Sequence, residues 1–214
     1  MALGPRLLST HRIEIRKHDL AIILQKINPH PNPVVAFEQY TIPADLAAEI
    51  LFTACYIHDD IRGKDIIDLG TGTGRLALGA SLLGAGYVVG IDVDLPSLKL
   101  ASAAEKTLHA NVDFILGEIG TVRGSMDTVL MNPPFGTKKP HADIEFLQCA
   151  LQLGRVVYTI HKSSTRRFLE NWLTVRGLEI DRIMATQMVI PHQFDFHSKT
   201  RKSVEVDVVR IVNG

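Results

Sequence analysis

The feature that most limits what this chain can fold into is a glycine-rich turn set between an apolar strand and a helix. Asp65-Ile66-Ile67-Asp68-Leu69 runs into Gly70-Thr71-Gly72-Thr73-Gly74, and Leu76, Leu78 and Leu83 then continue at helical spacing. Glycine permits the tight turn and lets a ligand approach the backbone closely. The helix start beyond it offers unpaired N–H groups and the positive end of a dipole, which suits a carboxylate or phosphate. Ligands of such sheets bind at the carboxyl ends of the strands, where the strand order reverses.

The rest of the chain extends the same alternation. Strands are expected at 65–69, 87–91, 112–116, 126–131 and 156–160, with helices through 76–83, 95–109, 144–153 and 166–175 between or after them. The end differs, because 180–190 and 204–212 read as two strands with no helical pattern between them. A parallel return needs a crossover of a dozen or more residues, usually helical, so this pair should be antiparallel. The fold class is therefore α/β: a doubly wound, mostly parallel seven-stranded sheet with an antiparallel last strand. Ahead of it, Ile15, Leu20, Ile23, Leu24 and Ile27 predict a helix over 13–27, broken by Asn28-Pro29-His30-Pro31-Asn32-Pro33. A loop at 38–41 precedes a second helix with Pro43 in its first turn. Residues 1–42 thus read as an N-terminal helix and cofactor lid, and 43–214 as the main unit of a single globular domain.

With 214 residues, 46% apolar and 21% charged, the chain can bury one sizeable core. No apolar stretch nears the ~20 residues needed to span a bilayer, and the N-terminus lacks signal-peptide features. Cys55 and Cys149 have no paired-ligand spacing and read as small buried hydrophobes. The histidines show no ligand spacing either, so no metal is expected, and the expected location is a reduced, cytoplasmic one. Net charge is zero, yet Pro133 to Ser203 holds eleven Lys/Arg against six Asp/Glu. Such asymmetry marks either a nucleic-acid-facing side or an ordinary solvated surface.

Two observations narrow the ligand. Arg75 occupies the position where the dinucleotide fingerprint needs its third glycine or alanine, and no Gly-x-x-x-x-Gly-Lys is present. Asp92 lies twenty residues beyond Gly72 at a strand end, where a carboxylate can accept hydrogen bonds from both ribose hydroxyls. The second motif, Asn132-Pro133-Pro134-Phe135, closes the strand at 126–131. The Asn132 side-chain carbonyl and the Pro133 main-chain carbonyl can each accept one N–H of an exocyclic amine. Two prolines fix that carbonyl without a competing donor, and Phe135 supplies a ring for a base to stack on. A base inside a helix must be unstacked to reach such a pocket. The chemistry rests on position and electrostatics, without a covalent nucleophile.

With Asp68 before it and Asp92 after it, the glycine loop resembles the S-adenosylmethionine loop of class I methyltransferases. More narrowly, the chain resembles the methyltransferase-like 5 group of ribosomal RNA adenine-N6 methyltransferases and its archaeal relatives. The resemblance runs from about Phe37 to Ile211, through Glu38-Gln39-Tyr40, Leu83 to Gly86, Asp92-Val93-Asp94, Met131 to Lys138, His161 to Arg166, Phe194 to His197 and Glu205-Val206-Asp207. It implies cofactor contacts from Gln39, Tyr40, Thr41, Asp68, Gly70, Thr71, Gly72, Gly74, Asp92, Val93, Glu118, Ile119 and Asn132, with Asn132, Pro133, Pro134 and Phe135 catalytic. Ile42 departs from the pattern, standing where relatives have a threonine, with Thr41 adjacent. The implied RNA side comprises Lys138, Lys139, His161, Lys162, Arg166, Arg167, Phe194, Phe196, His197, Lys199, Arg201 and Lys202. The resemblance also implies a small zinc-binding activator protein paired along a sheet edge, for which Val112 to Leu116 is the apolar edge available.

The expected activity is thus transfer of a methyl group to an adenine N6 in structured RNA, with small-subunit ribosomal RNA as the expected substrate. A protein glutamine amide presents the same planar amine, although enzymes of that kind tend to carry tyrosine at the position of Phe135. DNA adenine is a further alternative, for which no separate target-recognition domain fits in the length. A cofactor-binding scaffold subunit is the non-enzymatic reading.

Overall fold

The computed structural model describes residues 14–34, 38, 40–136, 141–191 and 201–213, apart from the side chains at 189–191 and 201–202. Lys17–Gln25 forms α1 and Ala44–Tyr56 forms α2, and then strand and helix alternate. The sequence continues as β1 (Asp65–Leu69), α3 (Arg75–Leu82), β2 (Tyr87–Asp92), α4 (Leu95–Leu108), β3 (Asp113–Leu116) and β4 (Met126–Met131). It ends with α5 (Ala142–Leu153), β5 (Gly154–Lys162), α6 (Arg166–Thr174), β6 (Ile180–Pro191) and β7 (Arg201–Val212). Every strand and helix expected from the sequence is present, with ends shifted by a few residues. The helix expected over 13–27 is shorter, because Arg16 is extended at ψ 148° and the α1 ladder begins only at Lys17.

The seven strands form one sheet in the order β3-β2-β1-β4-β5-β7-β6. β1 to β5 are mutually parallel, and β7 runs antiparallel to both β5 and β6. Period-2 alternation divides the strand side chains between two faces. Ile66, Val88, Leu130, Tyr158 and Val208 face α1 to α4, while Ile67, Val89, Val129, Met131, Val157 and Val209 face α5 and α6. The nine-residue α1 is too short to be stable alone. Burial of Leu20, Leu24 and Ile27, each at most 1% exposed, anchors its end in the core. Each such side chain contributes ~1.5–3 kcal/mol.

The strand order reverses between β1 and β4, which lie side by side with Leu69 opposite Met131. The chain therefore leaves these two strands at adjacent points, Gly70 and Asn132, so the two motifs meet. Among the described residues, β3 pairs only with β2 and is an edge strand whose Ile115 and Leu116 are 47% and 55% exposed. Among the described residues, no helix is long and apolar enough to cross a membrane.

Candidate active site

A cavity of about 560 Å³ opens at the carboxyl ends of β1, β2 and β4. That volume suits a nucleoside-sized ligand. Its walls include Gly70, Thr71, Gly72, Asp92, Val93, Glu118 and Ile119 on one side, and Tyr40, Thr41, Asn132 and Pro134 on the other.

The first side is made by the chain folding back on itself over short distances. Gly70 and Thr71 donate their N–H groups to the Ile91 carbonyl, at 2.9 and 3.0 Å, which docks the loop onto β2. Gly70 has φ +69°, and a Cβ there would lie 2.9 Å from the Phe146 ring, so only glycine fits. Gly72 has φ +55° and nothing within 4 Å of a Cβ; its open side is room for a ligand. Asp92 accepts the Gly72 N–H at 2.7 Å on one oxygen and the Asp94 N–H at 2.9 Å on the other. Each oxygen keeps a lone pair for a hydroxyl. Burial pushes the Asp92 carboxyl above its ordinary range despite these bonds.

Beneath the loop, Asp68 is 2% exposed and accepts from Thr71 Oγ1 at 2.7 Å and the Ala77 N–H at 3.1 Å. Burial pushes its carboxyl up to about 7, with the charge of Asp92 adding to the rise. Asp68 thus braces the loop from below and also belongs to the cavity wall. Gly74 lies at the N-terminus of α3 with φ +82°. Asp94 caps α4 by accepting the Ser97 N–H at 2.8 Å. Thr73 lines the cavity, and its hydroxyl is buried without a hydrogen-bond partner among the described residues.

The second side joins segments far apart in sequence. The Asn132 amide nitrogen donates to the Tyr40 carbonyl at 3.2 Å. A carbonyl only accepts, so this contact fixes which way the amide faces. Asn132 Oδ1 is left buried with no partner among the described residues. An unpaired buried acceptor costs about 1–3 kcal/mol, a cost removed by a ligand N–H. Pro133 is buried and Pro134 lines the cavity. The Phe135 N–H donates to the Glu38 carboxylate at 2.9 Å. The Phe135 ring lies 6.0 Å from that of Tyr40 at an interplanar angle of 27°, and Lys162 Nζ lies 5.6 Å from its centre.

Three site residues carry no role in the sequence reading. Glu38 stands in the Glu-Gln-Tyr run, from which the resemblance implies contacts only for Gln39 and Tyr40. Arg75 reads only as a departure from the dinucleotide fingerprint, yet its buried guanidinium donates to the carbonyls of Ile27 (2.7 Å) and Ile42. It thereby ties both ends of the segment that carries Glu38 and Tyr40, and burial lowers its pKa. His30 lines the cavity, its Nδ1 accepting the Asn32 N–H at 3.1 Å and its Nε2 buried 3.5 Å from Asp94. Cys149 also belongs to the cavity wall and is only partly buried, whereas Cys55 is buried as expected.

The expected RNA side divides. His161 is 2% exposed, with Nε2 at 3.0 Å from Thr159 Oγ1 and Nδ1 at 3.5 Å from Asp143. Its ring points into the fold and cannot reach a surface ligand, which corrects its assignment to the RNA side. Arg166 is held by Asp207 through two bonds of 2.7 and 2.6 Å. Its hydrogen bonds, against the opposing effect of burial, hold the Asp207 carboxyl below its ordinary range. Arg167 is exposed, and Lys162 is half-buried beside Phe135. Arg201 and Lys202 begin β7, whose antiparallel course puts this end beyond Lys162 on the cavity side of the sheet. Gln39, Lys138, Lys139, Phe194, Phe196, His197 and Lys199 lie outside the described residues.

Residues 42–152 match the family model of the methyltransferase small domain. The chain is 40% identical over 207 residues to an uncharacterized protein of Methanocaldococcus jannaschii, covering 91% of this chain and 92% of that one. It is 33% identical to the rRNA N(6)-adenosine-methyltransferase METTL5 of Danio rerio, covering 90% and 96% of the two chains. A crystal structure of a candidate RNA methyltransferase from Pyrococcus horikoshii superposes with TM-score 0.85 at 38% identity, covering 92% and 97%.

Proposed function

The chain belongs to the methyltransferase small-domain family and is an S-adenosyl-L-methionine-dependent RNA methyltransferase; we propose that its acceptor is the N6 amine of an adenine in structured RNA, with small-subunit ribosomal RNA as the substrate. The observation that carries this reading is the Asn132 amide. One N–H of its nitrogen donates to the Tyr40 carbonyl, and its oxygen is buried without a partner among the described residues, in a residue that lines the cavity. That arrangement leaves a fixed acceptor for an N–H, as an amine substrate requires.

The open face at Gly72, the Asp92 carboxylate and the unpaired Thr73 hydroxyl fit the polar groups of the cofactor. S-adenosylmethionine, when bound there, supplies an electrophilic methyl group on a sulfonium sulfur. Asn132 Oδ1 and the Pro133 carbonyl each accept one N–H of the adenine amine, drawing the nitrogen from planar towards pyramidal, which takes its lone pair out of conjugation with the ring and orients it. The Phe135 ring supports the base by stacking, worth ~1–3 kcal/mol. Orientation is a large part of such catalysis, since a positioned reactant has an effective molarity far above that of a free one.

The relative from Danio rerio bears the name of an rRNA N(6)-adenosine methyltransferase and aligns over nearly its whole length, which supports the same substrate here. For a zinc-binding activator, the fitting surface is the exposed edge of β3, where a partner strand would add to the sheet beside Ile115 and Leu116. Mass spectrometry of ribosomal RNA from cells with and without the protein tests the reading. One small-subunit adenosine should lose its N6-methyl group in the deletion strain. Unchanged N6-methylation at every position, with methyl transfer to a protein glutamine instead, would replace it.

A further inference from the structure

The loop Asn132-Pro133-Pro134-Phe135 has little of its own to hold it. Proline has no N–H, so the main-chain donors of these four residues are confined to Asn132 and Phe135. The first end of the loop is fixed through the Asn132 side chain and the Tyr40 carbonyl. The other end is fixed by Glu38, whose carboxylate accepts the Phe135 N–H at 2.9 Å across 97 positions of sequence. Glu38 is 5% exposed and has φ +48°, a left-handed backbone that side-chain-bearing residues adopt at a cost. A tight turn from Tyr40 N–H to the Glu38 carbonyl, 2.8 Å, accompanies it. A strained backbone and a buried carboxylate at one position need compensation from what surrounds them.

We infer that Glu38 is a positioning residue, whose carboxylate holds the Phe135 end of the loop so that Asn132 Oδ1 and the Phe135 ring face the base together. This rests on the methyltransferase reading of the same cavity. The bond is charge-assisted, which makes it stronger than a neutral one. Aspartate at this position would keep the charge but withdraw the oxygens by one methylene. Glutamine would keep the length and an acceptor oxygen.

The test compares Glu38→Ala, Glu38→Asp and Glu38→Gln in single-turnover methylation of ribosomal RNA, alongside calorimetry with S-adenosylmethionine and NMR exchange of the Phe135 amide proton. Glu38→Ala and Glu38→Asp should each lose about 10- to 100-fold in turnover, with cofactor affinity within about twofold of the wild type. Glu38→Gln should recover most of that loss, and the Phe135 amide should exchange faster in the alanine and aspartate variants only. If Glu38→Ala does not fold, the aspartate and glutamine pair decides. Undiminished turnover in Glu38→Asp overturns the inference, as does a loss of cofactor affinity equal to the loss of turnover. A wild type inactive on RNA would sink the substrate reading instead. The amide exchange then decides alone: faster exchange in Glu38→Asp sustains the tether, and unchanged exchange overturns it.

Discussion

The two sides of the cavity are built by different means. The cofactor side is closed by bonds between near neighbours in sequence: Thr71 to Asp68, Ala77 to Asp68, Gly72 to Asp92 and Asp94 to Asp92, none spanning more than 20 residues. The acceptor side is closed by Asn132 to Tyr40 and Phe135 to Glu38, which span 92 and 97. A local cradle forms once two strands and a turn are in place. A long-range one exists only when the N-terminal segment has docked, which depends on the buried Arg75 and its two carbonyl partners. Affinity for the cofactor and turnover should therefore be separable by mutation.

The sharpest break comes from Asn132→Ala. It removes the unpaired acceptor and the tie to Tyr40, and turnover should fall by at least ~10²-fold, the scale for losing one preorganised polar contact to a reacting group. Cofactor affinity by calorimetry should stay within about threefold, because the bonds of the cofactor side do not pass through Asn132. A parallel loss of affinity would show the two sides to be one unit.

Asp92→Ala is the mirror experiment. It deletes the acceptor of the Gly72 and Asp94 N–H groups, so the cofactor dissociation constant should rise about 10- to 100-fold, as expected for hydrogen bonds to a charged group. Turnover at saturating cofactor should change far less. The contrast fails if turnover at saturation collapses while binding is untouched.

Two aspartates give the comparison opposite pH signatures. Asp68, on the cofactor side, has its carboxyl raised to about 7 by burial. Its folded pKa exceeds the unfolded one, so its contribution is fully present below the unfolded value and is lost as pH rises through about 7. Urea melts should therefore show Asp68→Asn gaining on the wild type by about 2–3 kcal/mol between pH 5 and pH 8. Asp207, on β7, is lowered by Arg166. Its contribution is present above its unfolded pKa and lost as pH falls through the folded one. Asp207→Asn should be destabilised at neutral pH, with the gap closing in acid. Parallel slopes for the two variants would show that their environments do not differ in this way.

The same division explains what is legible in the sequence. The alternation of strand and helix, the glycine loop, Asp92 and the antiparallel end are written in periods of 2 and 3.6 and in short spacings, and the fold follows them. The Asn132 motif announces itself because two consecutive prolines after an apolar strand are informative on their own. Glu38, Arg75 and His30 give no such signal, since each acts through a partner 33 to 97 residues away or through a cavity wall that only the folded chain forms. His161 shows the converse error. A histidine beside a lysine and two arginines reads as surface, but its place in β5 turns the ring inward. Charge patterns report composition, and strand register decides direction.

That error yields the smallest expected effect. Arg166 and Arg167 are neighbours of like charge, yet Arg166 is spent on Asp207 and Arg167 is exposed. If the basic end of the sheet holds RNA, Arg167→Glu should raise the dissociation constant severalfold and flatten the plot of log affinity against log salt by about 0.7–0.9 for each phosphate no longer neutralised. The melting temperature should hardly move, since an exposed side chain outside the core adds little stability. Arg166→Ala should do the reverse. It leaves Asp207, whose side chain is 1% exposed, without its guanidinium, so stability should drop while the salt slope is largely kept. Lys199→Glu, Arg201→Glu and Lys202→Glu together should deepen the loss of salt dependence seen with Arg167→Glu. Salt slopes identical to the wild type in all these variants would make the basic end plain solvated surface, and RNA affinity would have to come from the cavity itself.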